Sequence, residues 1–216
     1  MRDPGKYIND LFVRYPKLEE TRSDLLDAYD LLRQCFESGC KLLVAGNGGS
    51  AADAEHIAGE LMKGFLSKRP LPEDLRHRFA EVEPVKGREI SKRLQGALAV
   101  LPLTSQDALS TAFLNDVDAG DIFAQKLMGY GKKGDVFLGI STSGDSVSII
   151  NAAITAKALD IKVIGLTGST GGKLKNYCDV LVRAPESETY KIQELHVPIY
   201  HSWCMMLEEY FFGIGE

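Results

Sequence analysis

The chain has 216 residues, 44% of them hydrophobic, and a formal net charge of -5. That size suits one large domain with a real core, and the acidic balance excludes a general nucleic-acid binder. No apolar run approaches the roughly 20 residues of a membrane span, and the N-terminus lacks the apolar core of a signal peptide. Cys35, Cys40, Cys178 and Cys204 form no CxxC pair and no disulfide framework, so they read as reduced thiols of a cytoplasmic protein.

In chain order, Leu18 to Glu37 has helical periodicity, with Leu18, Leu25, Leu26, Tyr29, Leu32 and Phe36 on one side. Residues 41–45 read as a strand, Gly46 to Ser50 as a glycine-rich turn, and about 50–66 as a helix. Residues 97–103 read as a second strand and 118–129 as a helix. The third strand is 135–140, followed by the turn Ser141-Thr142-Ser143-Gly144 and a helix over 146–159. The fourth strand is 161–166; a short helix precedes a fifth at 180–182. A long helix from about 187 to 212 closes the chain. Strands alternating with helices predict an α/β protein with a mostly parallel sheet and helices on both faces. Sites in such sheets lie at the C-terminal ends of strands, where both the 46–50 and the 141–144 turns fall.

The segment from Lys63 to Arg93 breaks the alternation, with nine Lys or Arg against five Asp or Glu. It reads as an inserted, solvated helical excursion; the sharper reading is a basic flap beside an anionic substrate.

The 47–50 turn lacks GxGxxG and is no Walker loop. A strand–GG–Ser–helix turn does leave backbone N–H groups at a helix N-terminus free to bind an anion. Ser141, Thr142, Ser143 and Ser146 put four hydroxyls around a second helix N-terminus, where N-capping needs only one. Hydroxyls with backbone amides suit a phosphate dianion.

His56 and Glu60 are four residues apart and share a helix face, a pair able to move a proton or hold a metal. Gln193, His196 and His201 lie on the last helix. Positions 193 and 201 are about 12 Å apart along an ideal axis, long for two ligands of one ion unless side chains lean, the helix bends at Pro198, or two subunits contribute. His196 points elsewhere and reads as structural. The last helix is apolar most of the way round, so it is buried on several sides; another subunit is the expected cover.

Taken together, Asn47-Gly48-Gly49-Ser50 with Ala54-Glu55-His56-Ile57-Ala58-Gly59-Glu60, Asn115-Asp116, Gly139-Ile140-Ser141-Thr142-Ser143-Gly144-Asp145-Ser146, Leu166-Thr167-Gly168 and Ile192-Gln193-Glu194-Leu195-His196 resemble the SIS (sugar isomerase) domain family. The likeness covers about residues 40–66 and 97–212 and points to the branch that isomerises sedoheptulose 7-phosphate to a manno-series heptose 7-phosphate. It implies one SIS domain over 1–216, a five-stranded parallel sheet flanked by helices, with an extra N-terminal helical segment (1–40), an inserted basic segment (67–96) and the long C-terminal helix. It implies a homotetramer with sites between subunits and a metal, usually zinc, whose ligand pattern falls on His56, Glu60, Gln193 and His201. Base and acid fall on Glu60 and His201. Substrate-binding positions fall on Asn47, Gly48, Gly49, Ser50, Asp116, Ser141, Thr142, Ser143, Ser146 and Gln193. Glu60 would take a proton from the carbon beside the carbonyl and return it to the neighbour, while His201 moves protons on the oxygens of an enediolate.

Three features depart from the family pattern. The 67–96 segment is long, a family arginine falls on Gly64, and a family aspartate falls on Tyr190. They touch substrate contacts and keep open an isomerase of another sugar phosphate. A non-catalytic relative binds the bacterial replication initiator, but there the positions of Glu60 and His201 are replaced. Sugar-phosphate-sensing regulators carry a DNA-binding domain, which about 40 residues reading as one helix do not supply.

Overall fold

The structure, a computed structural model, describes residues 3–213. Five strands form one parallel sheet: β1 (Leu42–Ala45), β2 (Val100–Pro102), β3 (Val136–Ser141), β4 (Lys162–Thr167) and β5 (Val180–Arg183), in the order β2-β1-β3-β4-β5. Every residue of β1 and β3 is buried, which explains their unbroken apolar runs in place of alternation. Alternate side chains feed two separate cores. Leu42, Val44, Val136, Leu138 and Ile140 join one; Leu43, Ala45 and Phe137 join the other. The first core is closed by α1 (Gly5–Arg14), α2 (Arg22–Glu37), α3 (Gly49–Met62) and α9 (Thr189–Phe212); the second by α7 (Ile122–Tyr130) and α8 (Val147–Ala158).

The parallel sheet with helices on both faces is as expected, but several boundaries differ. The first 40 residues hold two helices, not one. Ile8, Leu11 and Phe12 make a stripe on α1, and Pro16 starts a 3-10 turn (Pro16–Thr21) that carries Leu18 into the core. Proline disfavours helix at the residue before it, so the helix restarts there. α3 stops at Met62, short of residue 66, with Lys63 extended. The N–H groups of Phe65, Leu66 and Ser67 instead donate to the Glu208 carboxylate on α9. A helix over Asp107–Asp116 (α6) went unpredicted: none of its residues is buried, so it has no stripe to read. α7 begins at Ile122, not 118, because the Asp118 side chain accepts the Gly120 N–H in a 3-10 turn.

The 67–96 segment is the helical excursion expected, α4 (Glu73–Val82) and α5 (Lys86–Arg93). Gly87 lets them touch: a Cβ there would stand 1.9 Å from the Phe79 carbonyl oxygen. α9 runs unbroken through Pro198. The cover that its composition assigned to another subunit comes from this chain's own α1, α2 and α3, which bury Ile199, Trp203, Met206 and Leu207.

Candidate active site

The order β2-β1-β3 places the reversal of winding between β1 and β3, where doubly wound sheets bind ligands. Both glycine-rich turns leave the sheet there. After β1 the chain turns so sharply that a Cβ on Gly46 would meet the Ser50 carbonyl oxygen at 2.3 Å. Gly48, the N-cap of α3, has φ 57 and ψ -123, a region glycine alone adopts freely. No side chain caps α3 or α8; in α3 the Ser50 and Ala51 N–H groups donate to the carbonyls of Asn47 and Gly48. After β3, the Gly144 N–H donates to Ser141 Oγ and the Asp145 N–H to Ser143 Oγ, each at 3.1 Å. Asn47 Nδ2 donates to Ser146 Oγ and Ser148 Oγ, both at 3.0 Å, and so ties the two turns together. Ser50 is buried and Thr142 half-buried in the same walls. The Gln193 amide reaches this cradle from α9; a Cβ on Gly49 would stand 2.6 Å from its Nε2.

A second cluster forms farther along α3. His56 Nε2 lies 3.3 Å from Glu60 Oε1 and 3.4 Å from His201 Nε2. The His56 and His201 rings meet edge to face at 4.9 Å. His201 borders a cavity of about 210 Å³ with Arg14, Tyr15, Phe65 and Pro198. Burial first, then the neighbouring His56, lowers the His201 pKa from its ordinary value, so the neutral ring dominates at pH 7. Lys63 Nζ stands 3.4 Å from Glu60 Oε2.

The predicted site residues thus fall into two groups. Asn47, Gly48, Gly49, Ser50, Ser141, Thr142, Ser143, Ser146 and Gln193 surround the cradle. His56, Glu60 and His201 form the cluster, about 10 to 16 Å down the axis of α3 from its first residue. Gln193 makes its close approach at Gly49, a side of the site away from the two histidines. Asp116 lies apart, exposed at the end of α6, accepting from Asn115 Nδ2. His196 is fully buried with Nε2 3.1 Å from the Thr167 carbonyl oxygen, in keeping with a structural role.

Two imidazole nitrogens and a carboxylate oxygen are zinc-type donors, and separations of 3.3–3.4 Å are those of neighbouring ligands about a tetrahedral ion with bonds of about 2.0–2.1 Å. The donor chemistry therefore fits a metal. Yet among the described residues no three His, Cys, Asp or Glu side chains close a ready-made metal centre; both short contacts run through His56 Nε2.

Sequence reasoning missed the groups that hold this cluster. Tyr200 Oη donates to Asp53 Oδ1 at 3.2 Å and lies 2.9 Å from His56 Nδ1. Arg69 and Glu208 form a fully buried ion pair at 2.6 Å, and the Arg69 guanidinium donates to the carbonyls of Glu60 and Leu61. Asp53 did carry a signal: it is a carboxylate three residues before His56, on the face with Ala54 and Ile57 that turns inward. Gly64 has no room for the family's arginine, since a Cβ would stand 2.0 Å from the Ser67 carbonyl oxygen.

A parallel sheet in this order, with serine-lined turns at its switch point, is the architecture of an SIS domain. The SIS domain family model matches residues 6–109 and 88–168. A phosphoheptose isomerase from Aneurinibacillus thermoaerophilus is 39% identical over 179 residues, 83% of this chain and 77% of that one. Phosphoheptose isomerase 2 of Campylobacter jejuni is 38% identical over 84% of this chain and 78% of that one. The solved phosphoheptose isomerase of Neisseria gonorrhoeae superposes with a TM-score of 0.72 and 30% identity, covering 94% of this chain and 95% of that one. The chain belongs to the SIS-domain family, within its phosphoheptose isomerase branch.

Proposed function

We propose that this enzyme interconverts sedoheptulose 7-phosphate and D-glycero-D-manno-heptose 7-phosphate through an enediolate, for heptose biosynthesis in the cytoplasm, as a single SIS domain carrying 67–96 as an insertion. The observation that carries this reading is the convergence of His56, Glu60 and His201 from two helices, on the same α3 whose N-terminus forms the anion cradle.

The phosphate binds the uncapped N–H groups and the hydroxyls of Ser141, Thr142, Ser143 and Ser146. Asn47, Ser50, Gln193 and Asp116 serve the sugar hydroxyls. Glu60 removes the C1 proton beside the C2 carbonyl and returns it to C2. His201, neutral at pH 7, takes the proton from the C1 hydroxyl and supplies one to O2, so protons balance and no electron leaves the substrate. The position of Glu60, 14% exposed, keeps bulk water from exchanging that proton freely. Zinc would be held by His56, Glu60 and His201, and Gln193 would join them only from a second copy or after rearrangement. When bound, such an ion would polarise the carbonyl.

The spacing of cradle and cluster along α3 favours a site completed by a second copy. Exposed Met62, Leu109, Leu114, Val117 and Met128 offer apolar surface for a tetramer. The test is incubation with a panel of ketose phosphates followed by product analysis. Turnover of sedoheptulose 7-phosphate above five- and six-carbon analogues supports the reading; turnover of a six-carbon sugar alone overturns it. A light-scattering mass near 24 kDa would refute the shared site, and activity regained on mixing Glu60→Gln with Ser143→Ala subunits would support it.

A further inference from the structure

We propose that Tyr200 and Asp53 are positioning residues that hold His56 as its Nδ1–H tautomer, turning the Nε2 lone pair toward Glu60 and His201. The proposal deepens the isomerase reading above and rests on it for its consequence, not for its geometry.

Proton counting around the Tyr200 hydroxyl decides the tautomer. A phenol carries a single proton. The Tyr200 hydroxyl has two polar neighbours, Asp53 Oδ1 at 3.2 Å and His56 Nδ1 at 2.9 Å. The Tyr200 hydroxyl donates that proton to Asp53 Oδ1. The phenol oxygen is then left to accept, and His56 Nδ1 must be the donor. The neutral imidazole has one N–H, so Nε2 is bare.

The surroundings make this chain hard to rearrange. Tyr200 is 1% exposed and Asp53 9%, so water does not compete for either group. Asp53 Oδ2 is buried with no hydrogen-bond partner, which leaves Tyr200 as the side chain that satisfies this carboxylate. The ring of Tyr200 packs edge to face on both His56 at 5.5 Å and His201 at 5.0 Å, fixing all three planes.

The consequence falls on Glu60. In the other tautomer His56 Nε2–H would donate to Glu60 Oε1, 3.3 Å away, and occupy the oxygen that must take a proton from carbon. With Nδ1 protonated, Nε2 and Glu60 Oε1 both present lone pairs. Such a face suits a proton in transit or a divalent cation. Partners of this kind typically change metal affinity or activity about 10- to 100-fold when lost.

The test reads the tautomer directly. In chelator-treated, 15N-labelled full-length protein at pH 8, two-bond proton–nitrogen correlation spectra should show His56, assigned with His56→Gln, with Nδ1 protonated and Nε2 bare. Tyr200→Phe and Asp53→Asn should each populate the other tautomer and weaken Zn²⁺ binding, measured by chelator competition, about 10- to 100-fold, while thermal melts check that each variant is folded. Asp53→Glu should restore part of the wild-type pattern in a way that mere core damage would not. A wild-type His56 protonated on Nε2 would overturn the proposal. So would folded Tyr200→Phe and Asp53→Asn variants with unchanged tautomer and zinc affinity. A wild-type protein with the expected tautomer but no turnover of any sugar phosphate would sink the isomerase reading and leave the positioning role standing.

Discussion

The cradle and the cluster are built in opposite ways. The cradle is backbone: Gly46, Gly48 and Gly144 make turns that side chains would obstruct or strain, and the sheet holds those turns in place. The cluster is side chains alone, delivered by α3 and α9 from positions 145 residues apart and braced by partners as distant. A backbone cradle binds many anions and tolerates side-chain drift. A side-chain cluster has its chemistry only while every brace is intact. On the proposed reading, binding is therefore the robust half of this molecule and chemistry the fragile half.

The largest effect should come from the fragile half. Glu60→Gln keeps shape and removes the base, so kcat should fall about 10²- to 10⁴-fold with KM nearly unchanged. Steady-state kinetics on sedoheptulose 7-phosphate decide it; a kcat within threefold of wild type would strip the cluster of its chemical role. Next is the brace itself. Glu208→Gln leaves Arg69 charged in a site where both side chains are fully buried. Breaking such a pair costs about 3–5 kcal/mol, to be read from denaturant midpoints. It should also lower kcat, because Arg69 holds the carbonyls of Glu60 and Leu61 at the end of α3.

The same contrast explains what could be read from the chain beforehand. The strands, the two turns and the hydroxyl set are local: β1 and β3 announce themselves as apolar runs, and the glycines and hydroxyls of each turn lie within about five residues. His56 and Glu60 were legible because helix period puts them on one face. Tyr200, Asp53, Arg69 and Glu208 were not, since each looks like an ordinary helix or loop residue until its partner is known. α6 failed for a different reason: an exposed helix with no buried face has no periodic signature. The apolar girth of α9 was seen, but periodicity cannot say whether the cover is the same chain or another.

On α9, His196 gives a pH test of the scaffold apart from the chemistry. Its burial lowers the imidazole pKa to about 4, with the bond to the Thr167 carbonyl opposing the shift. Above the ordinary value of about 6.5 both folded and unfolded states hold a neutral ring, and the group adds no pH dependence. Below it the unfolded chain binds a proton that the folded one refuses, so stability falls with pH at up to about 1.4 kcal/mol per unit until about pH 4. Denaturant melts from pH 7 to 4.5 should show this slope, and His196→Gln should lose it relative to wild type. Identical slopes in the two proteins would mean that His196 is free to charge in the folded state.

The robust half should yield smaller changes. Ser146→Ala removes the hydroxyl that Asn47 engages across the two turns. One such bond is worth about 0.5–1.5 kcal/mol, so KM for the sugar phosphate should rise roughly 2- to 12-fold while kcat stays close to wild type. Equal losses in kcat and kcat/KM would mean that the cradle acts in the transition state and that the division between binding and chemistry fails.

Smallest of all should be changes on the α4–α5 hairpin. Its helices bury no large apolar side chain, and Val82 and Val85 at its tip are 88% and 69% exposed. The ion pair between Arg78 and Asp74 is exposed on both sides, 66% and 74%. Pairs of that kind contribute about 0.2–1 kcal/mol at most, and salt screens them. Arg78→Ala should therefore move the unfolding free energy by no more than about 0.5 kcal/mol and leave turnover of a dilute sample unchanged. A larger loss of stability at high protein concentration than at low would locate the hairpin in a contact between copies. The insertion would then belong with the fragile, partner-dependent part of the molecule and not with its solvated rim.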